Sequence, residues 1–136
     1  MTLQQVALVK ESFEQVRHVA IPVTLLFYGR LFDLDPGLRP LFKIDIREQS
    51  NKLAAMLATV IDSLESLDEL RPRLQELGRR HVTYGVQREH YETLTSALLW
   101  ALGQALQLEF SPDVRAAWAE VLHQVNREML RGVERG

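Results

Sequence analysis

Apolar residues recur along this chain every three or four positions, the spacing of amphipathic helices rather than of strands. Val6, Val9, Phe13 and Val16 mark a first helix, expected to end near Ile21-Pro22. Val23 to Leu34 is apolar almost without interruption. A helix apolar on every side is expected to be covered on most of them. Asp35-Pro36-Gly37 breaks it, and Pro36 is placed to open a short turn carrying Leu38 to Phe42. A polar stretch from Lys43 to Ser50 leads into a helix with Leu53, Met56, Leu57, Val60 and Leu64 on one face. Asp68 is the expected N-cap of the next helix, and Gly85 falls in its C-cap region. Gln87-Arg88-Glu89 should begin a helix that runs through Leu94, Leu98, Ala101, Leu102 and Ala105 to about Leu106. Ser111-Pro112-Asp113 combines a hydroxyl cap, a proline at the first helical position and an acid in the first turn. It should start a last helix carrying Val114, Trp118, Val121, Val125 and Met129. Neither a strand pattern nor an internal repeat is visible. The expectation is an all-α chain of about seven helices, residues 1–136 forming one domain.

The helix after Asp68 carries the one pattern that demands chemistry. Leu70, Leu74, Leu77 and His81 fall at spacings of four, three and four, so one apolar stripe ends in a histidine. A buried imidazole needs a hydrogen-bond partner or a metal, because a buried unpaired polar group costs about 1–3 kcal/mol. A lone histidine on such a face is most often a core histidine with one hydrogen bond. Three other polar residues intrude on apolar faces. Gln49 extends the Leu53–Val60 face, Tyr28 lies among Leu25, Leu31 and Phe32, and Tyr91 follows His81 by ten residues. With His81 they form a polar set converging on an apolar pocket, which is the anatomy of a cofactor site. His18 and His90 sit in polar neighbourhoods and read as surface, and His123 reads as a residue at the rim of the last helix's apolar seam. The four histidines share no metal-type spacing.

Composition narrows the field. Hydrophobic residues make up 46% and charged residues 25%, ordinary for a globular protein. The net charge of −2 argues against a nucleic-acid partner. There is no cysteine, hence no thiolate nucleophile, and no GxSxG, phosphate loop or HExxH pattern. No apolar run reaches the roughly 18 residues of a membrane span. Lys10, Glu11 and Glu14 interrupt the N-terminal segment where a secretory leader would be apolar. A cytoplasmic location is expected.

In their order and spacing these segments resemble the globin family. LFYGRLFDLDPGLRPLF resembles its second and third helices, with Phe42 at the family's near-universal phenylalanine. QSNKL at 49–53 is similar to the distal segment, LGRRH at 77–81 to the proximal one, and the 32 residues from Gln49 to His81 match the usual separation. The chain most resembles single-domain bacterial haemoglobins and the haem domain of flavohaemoglobins. LGRRHVTYGV and FSPDVRAAWAEVL are similar to neuroglobins. A gap placement with Lys52 at the distal position would lose the 32-residue separation.

The resemblance implies a globin fold packed around haem b (iron protoporphyrin IX), with His81 as the proximal iron ligand. Phe42 would stack on the porphyrin, and Leu53, Tyr84 and Val86 would line the pocket. Lys52, Arg47, Arg79 or Arg80 would pair with the propionates. Tyr28 and Gln49 match the bacterial distal pair that donates to a bound gas. Two such donors, each contributing about 0.5–1.5 kcal/mol, would slow oxygen loss roughly ten- to a hundredfold. Tyr91 matches the tyrosine beside the proximal histidine in flavohaemoglobins. Their glutamate has no counterpart: Val133 stands there, with Glu134 one residue off. The implied function is reversible binding of dioxygen, and of CO and NO, as in oxygen transport. Nitric oxide dioxygenation with an external reductase, or gas sensing, is the alternative. A monomer or homodimer is expected.

Overall fold

A computed structural model describes residues 1–42 and 45–135, so Lys43 and Ile44, at the start of the expected polar stretch, lie outside the described residues. Thr2 opens the first helix with a capping box: its hydroxyl accepts from the Gln5 N–H, and the Gln5 side chain accepts from the Thr2 N–H. The helices are α1 (Leu3–Val16), α2 (Ala20–Leu34), α3 (Ile46–Asp62), α4 (Arg71–Thr83), α5 (His90–Leu106) and α6 (Pro112–Arg135). Four short 3₁₀ segments, Arg17–Val19, Pro36–Leu41, Leu64–Leu70 and Gln107–Glu109, complete the described secondary structure. The all-helical expectation holds, with six α-helices where about seven were expected.

Several boundaries move, each for a local reason. The first helix ends at Val16, and Pro22 lies inside the first turn of α2, where its missing N–H has no intrahelical partner to lose. Asp68 does not cap α4; it belongs to the preceding 3₁₀ segment, and Pro72 near the start of α4 marks the entry. Residues 87–89 form a turn rather than helix, closed by the Gln87 N–H donating to His90 Nδ1 at 2.9 Å. His90, the first residue of α5, is therefore half-buried rather than a surface residue. Ser111 does cap α6, accepting from the Val114 N–H, and Gly85 ends α4 with a φ of +95° that favours glycine. His123 is exposed rather than at a rim.

The core is centred on α6. Trp118 is fully buried, stands 6.2 Å from Phe13 on α1, and donates its Nε1–H to Ser12 Oγ at 2.9 Å. Helices α4 and α6 pack much more closely. A Cβ built on Gly78 would lie 2.0 Å from the Met129 carbonyl oxygen, and one on Gly132 would lie 2.1 Å from that of Gln75. This crossing decides which side of α4 is covered. The buried residues of α4 are Leu74, Gln75 and Gly78, while Leu70, Leu77 and His81 are half-buried. The expected buried stripe is thus only the edge of the true contact face. The expectation for α2 is corrected as well, since Ile21, Leu25 and Leu26 are exposed.

Replacing Gly78 with alanine should destabilise the fold by about 3 kcal/mol, because backbone rather than a movable side chain blocks the new methyl. Gly29→Ala, at a helical site with nothing within 4 Å, should be neutral or stabilising by up to about 1 kcal/mol. Urea unfolding of the two variants checks the contrast.

Candidate functional site

Two polar clusters stand out, one where α2 meets α3 and one in the last turn of α4. The first begins with an anchor between α2 and α3. Thr24 and Ser50 are both fully buried; Thr24 Oγ1 donates to the Ile21 carbonyl at 2.8 Å and shares that proton with the Ser50 carbonyl oxygen at 3.3 Å. Tyr28 lies one turn beyond Thr24, and Gln49 is the neighbour of Ser50. The Gln49 side chain thus lies close enough to the buried Tyr28 hydroxyl to influence its ionisation. Burial pushes the Tyr28 phenol up to about 12, and the contact with Gln49 pulls the other way. The phenol is therefore protonated at neutral pH and keeps a proton to donate.

Aromatic side chains fix this cluster. Tyr28 packs edge-on to Phe42 at 5.4 Å and stacks with Phe32 at 6.1 Å, and Phe32 meets Phe42 at 5.5 Å. Arg39 covers the outer side of Phe32, its guanidinium 5.2 Å from the ring centroid. Leu53, two turns from Ile46 along α3, is half-buried, and Lys52 beside it is exposed.

The second cluster surrounds His81 in the last turn of α4. Its Nδ1 is buried; the Leu77 carbonyl, one turn back, lies close enough to favour protonation without closing a well-formed hydrogen bond. Burial outweighs that contact and holds the imidazole below the usual histidine range, so it is neutral at pH 7. Nε2 is not among the buried unpartnered atoms, and no hydrogen bond from a described residue engages it. A neutral imidazole with one nitrogen buried and the other free suits a metal ligand.

Three other expected residues gather near His81. Tyr91 is buried with its ring 6.4 Å from the imidazole, and its hydroxyl has no partner among the described residues. Tyr84 is 6.5 Å away on the outer side and 55% exposed. Val86 is buried and donates its N–H to the His81 carbonyl at 3.0 Å. Glu134 is paired with Arg88 at 2.9 Å and Val133 has no carboxylate to offer, so the Tyr91 hydroxyl is left without one from either position. Of the basic residues considered for an anionic ligand, Arg79 and Arg80 are both engaged by Glu76. No ion pair from a described residue engages Arg47 or Lys52 on α3.

Leu41 joins the clusters, a link the sequence did not reveal. It precedes Phe42, and its Cδ2 lies 3.0 Å from where a Cβ of Gly85 would be. Like Leu41, Phe42, Leu53, Leu57, Leu70, Leu77 and Leu94 are partly buried against the core. Half-covered apolar side chains from several helices, with polar groups at two sides, suit a flat apolar group carrying a metal. Among the described residues no cluster of three or more His, Asp or Glu could hold a bare metal ion.

Comparison with known proteins bears on the family and the fold. A family profile described as Globin matches residues 25–129. Neuroglobin of Danio rerio is 26% identical, the match covering 92% of this chain and 87% of that one. Anaerobic nitrite reductase NSHB5 of Oryza sativa subsp. indica is 27% identical, over 89% of this chain and 88% of its own. Flavohemoprotein B of Dictyostelium discoideum is 23% identical over 98% of this chain, which spans 32% of that protein. A bacterial globin from Campylobacter jejuni shares the fold with a TM-score of 0.87 at 22% identity, covering 98% of this chain and 97% of that one.

The burial of Tyr28 predicts a pH effect. The folded phenol ionises later than an unfolded one, so its contribution to stability is complete below pH 10 and is lost as the pH rises to about 12. Gln49→Ala removes a contact that lowers the Tyr28 pKa, so ultraviolet titration of the variant should show that phenol ionising at still higher pH.

Proposed function

The chain belongs to the globin family, and from that premise we propose that it holds haem b through His81 and reversibly binds dioxygen and other diatomic gases. The observation that carries this reading is a neutral, half-buried His81 whose Nδ1 is buried and whose Nε2 is engaged by no described residue. When bound, the haem supplies the iron that coordinates the gas. Phe42, Leu53 and Val86 contact its faces and exclude water, and Tyr91 and Tyr84 hold the His81 ring from two sides. Arg47 and Lys52 are the cations left to meet its carboxylates. Tyr28 and Gln49 supply neutral donors on the other wall, which favours a polar gas such as dioxygen over carbon monoxide. No helix among the described residues is long and apolar enough to cross a membrane, and we place the protein in the cytoplasm as a single globin domain.

A second reading is nitric oxide dioxygenation with a separate one-electron reductase. It is favoured by the likeness to a flavohemoprotein and by the same two donors. Repeated consumption of nitric oxide in the presence of a reductase, beyond one turnover, distinguishes it.

Haem titration of the purified chain should give one Soret-absorbing equivalent, and the ferrous form should change spectrum reversibly with oxygen. Absence of a Soret band after haem addition would falsify the reading. In stopped-flow measurements, Tyr28→Phe and Gln49→Leu should together raise the oxygen dissociation rate roughly ten- to a hundredfold, with a smaller effect on carbon monoxide.

A further inference from the structure

The most apolar helix of the sequence has an uncovered side. Seven residues of α2 are exposed: Ile21, Pro22, Leu25, Leu26, Gly29, Asp33 and Leu34, of which only Asp33 is charged. Ile21 and Leu26 are each 44% exposed and Leu25 is 37% exposed. A hollow of about 450 Å³ continues the apolar surface sideways, lined by Ile21 and Pro22 on α2 and by Ala54, Ala55 and Ala58 on α3. A contiguous apolar surface of this kind marks an interface rather than a solvated helix face.

We propose that this face joins two copies of the chain, with α2 packed antiparallel against α2 of the second copy about a twofold axis between Leu25 and Leu26. In that register Leu25 meets the second copy's Leu26, and Pro22 meets its Gly29. A Cβ built on Gly29 has nothing within 4 Å, which leaves room there for the proline ring. The ends of the helix are complementary. At the N-terminal end no side chain caps the helix, and the basic residue His18 precedes it. The C-terminal end carries Asp33 and Asp35. Antiparallel packing sets each end against its opposite and places His18 beside the second copy's Asp33, aligned with the favourable sense of the helix dipoles. A twofold interface needs one patch to supply both halves of the contact, and this patch does. A lipid surface fits less well. No exposed residue of α2 is Lys or Arg, and Arg17 is held by Glu14 and Asp62 at 2.8 and 2.7 Å.

The test is the mass of the full chain by sedimentation from about 10 μM to about 1 mM. The wild type should reach twice the chain mass. Leu25→Glu places two carboxylates across the axis and should weaken association at least about a hundredfold. Its target is exposed, so unchanged circular dichroism separates lost association from lost folding. The chain has no cysteine, so Leu26→Cys and Ile21→Cys give clean reporters. Oxidation should link the first into dimers. It should spare the second, whose copies sit about 13 Å apart along the axis, beyond disulfide reach. His18→Asp should weaken the dimer, and adding Asp33→Lys should restore it. A chain that stays monomeric at about 1 mM overturns the proposal, as does a dimer indifferent to Leu25→Glu or linked through residue 21 instead of 26. Flotation of a monomeric chain with phosphatidylcholine vesicles overturns it in favour of a membrane surface.

Discussion

The close approach of α4 and α6 at Gly78 and Gly132 is the constraint on which the site depends. Two backbones meet where any side chain would be blocked by a carbonyl, so α4 can be covered along one line only. That line is Leu74, Gln75 and Gly78. It leaves Leu70, Leu77 and His81 half a face round, neither sealed in the core nor fully in water. A nearby carboxylate reinforces the crossing: Glu128 on α6 is buried and is held by Arg71 at 3.0 Å and Arg131 at 2.8 Å. The imidazole is then neutral through burial, with its second nitrogen free for a metal. A bulkier residue at either glycine would separate the helices and lose that half-covered position.

The opposite wall follows the same principle with a different device. Here small polar residues bring α2 and α3 together, Thr24 bonding to the Ser50 backbone in a fully buried contact. One helical turn on, Tyr28 comes within reach of Gln49. The two walls differ in chemistry because they differ in what was buried. One presents a lone pair on a neutral imidazole, the other protons on a phenol and an amide. An iron-carrying group bound between them would meet a base on one side and donors on the other, the division of labour that reversible binding of a polar gas requires.

Much of this was legible in the sequence because the signals are local. Helix periodicity, the Ser111-Pro112-Asp113 start and the Gly85 stop act over a few residues and give the elements directly. His81, Gln49 and Tyr28 stood out because each is a polar residue on an otherwise apolar face. What the sequence hid is set at contacts between distant segments. The burial line of α4 depends on Met129 and Gln75 carbonyls that no periodicity reveals. Leu41 bridges the two clusters through Gly85, over forty positions away. Asp68 looked like a cap, but Pro72 near the start of α4 placed the helix entry after it. The apolarity of α2 suggested burial on most sides, whereas a single copy of the chain leaves one side open.

The central claim is that His81 supplies the iron ligand through Nε2, and chemical rescue tests it most directly. His81→Gly should lose tightly held haem, and free imidazole added to that variant should restore a Soret spectrum close to that of the parent. His18→Ala and His90→Ala should bind haem without added imidazole. A His81→Gly chain that binds haem with the parent's spectrum and needs no imidazole would contradict the account.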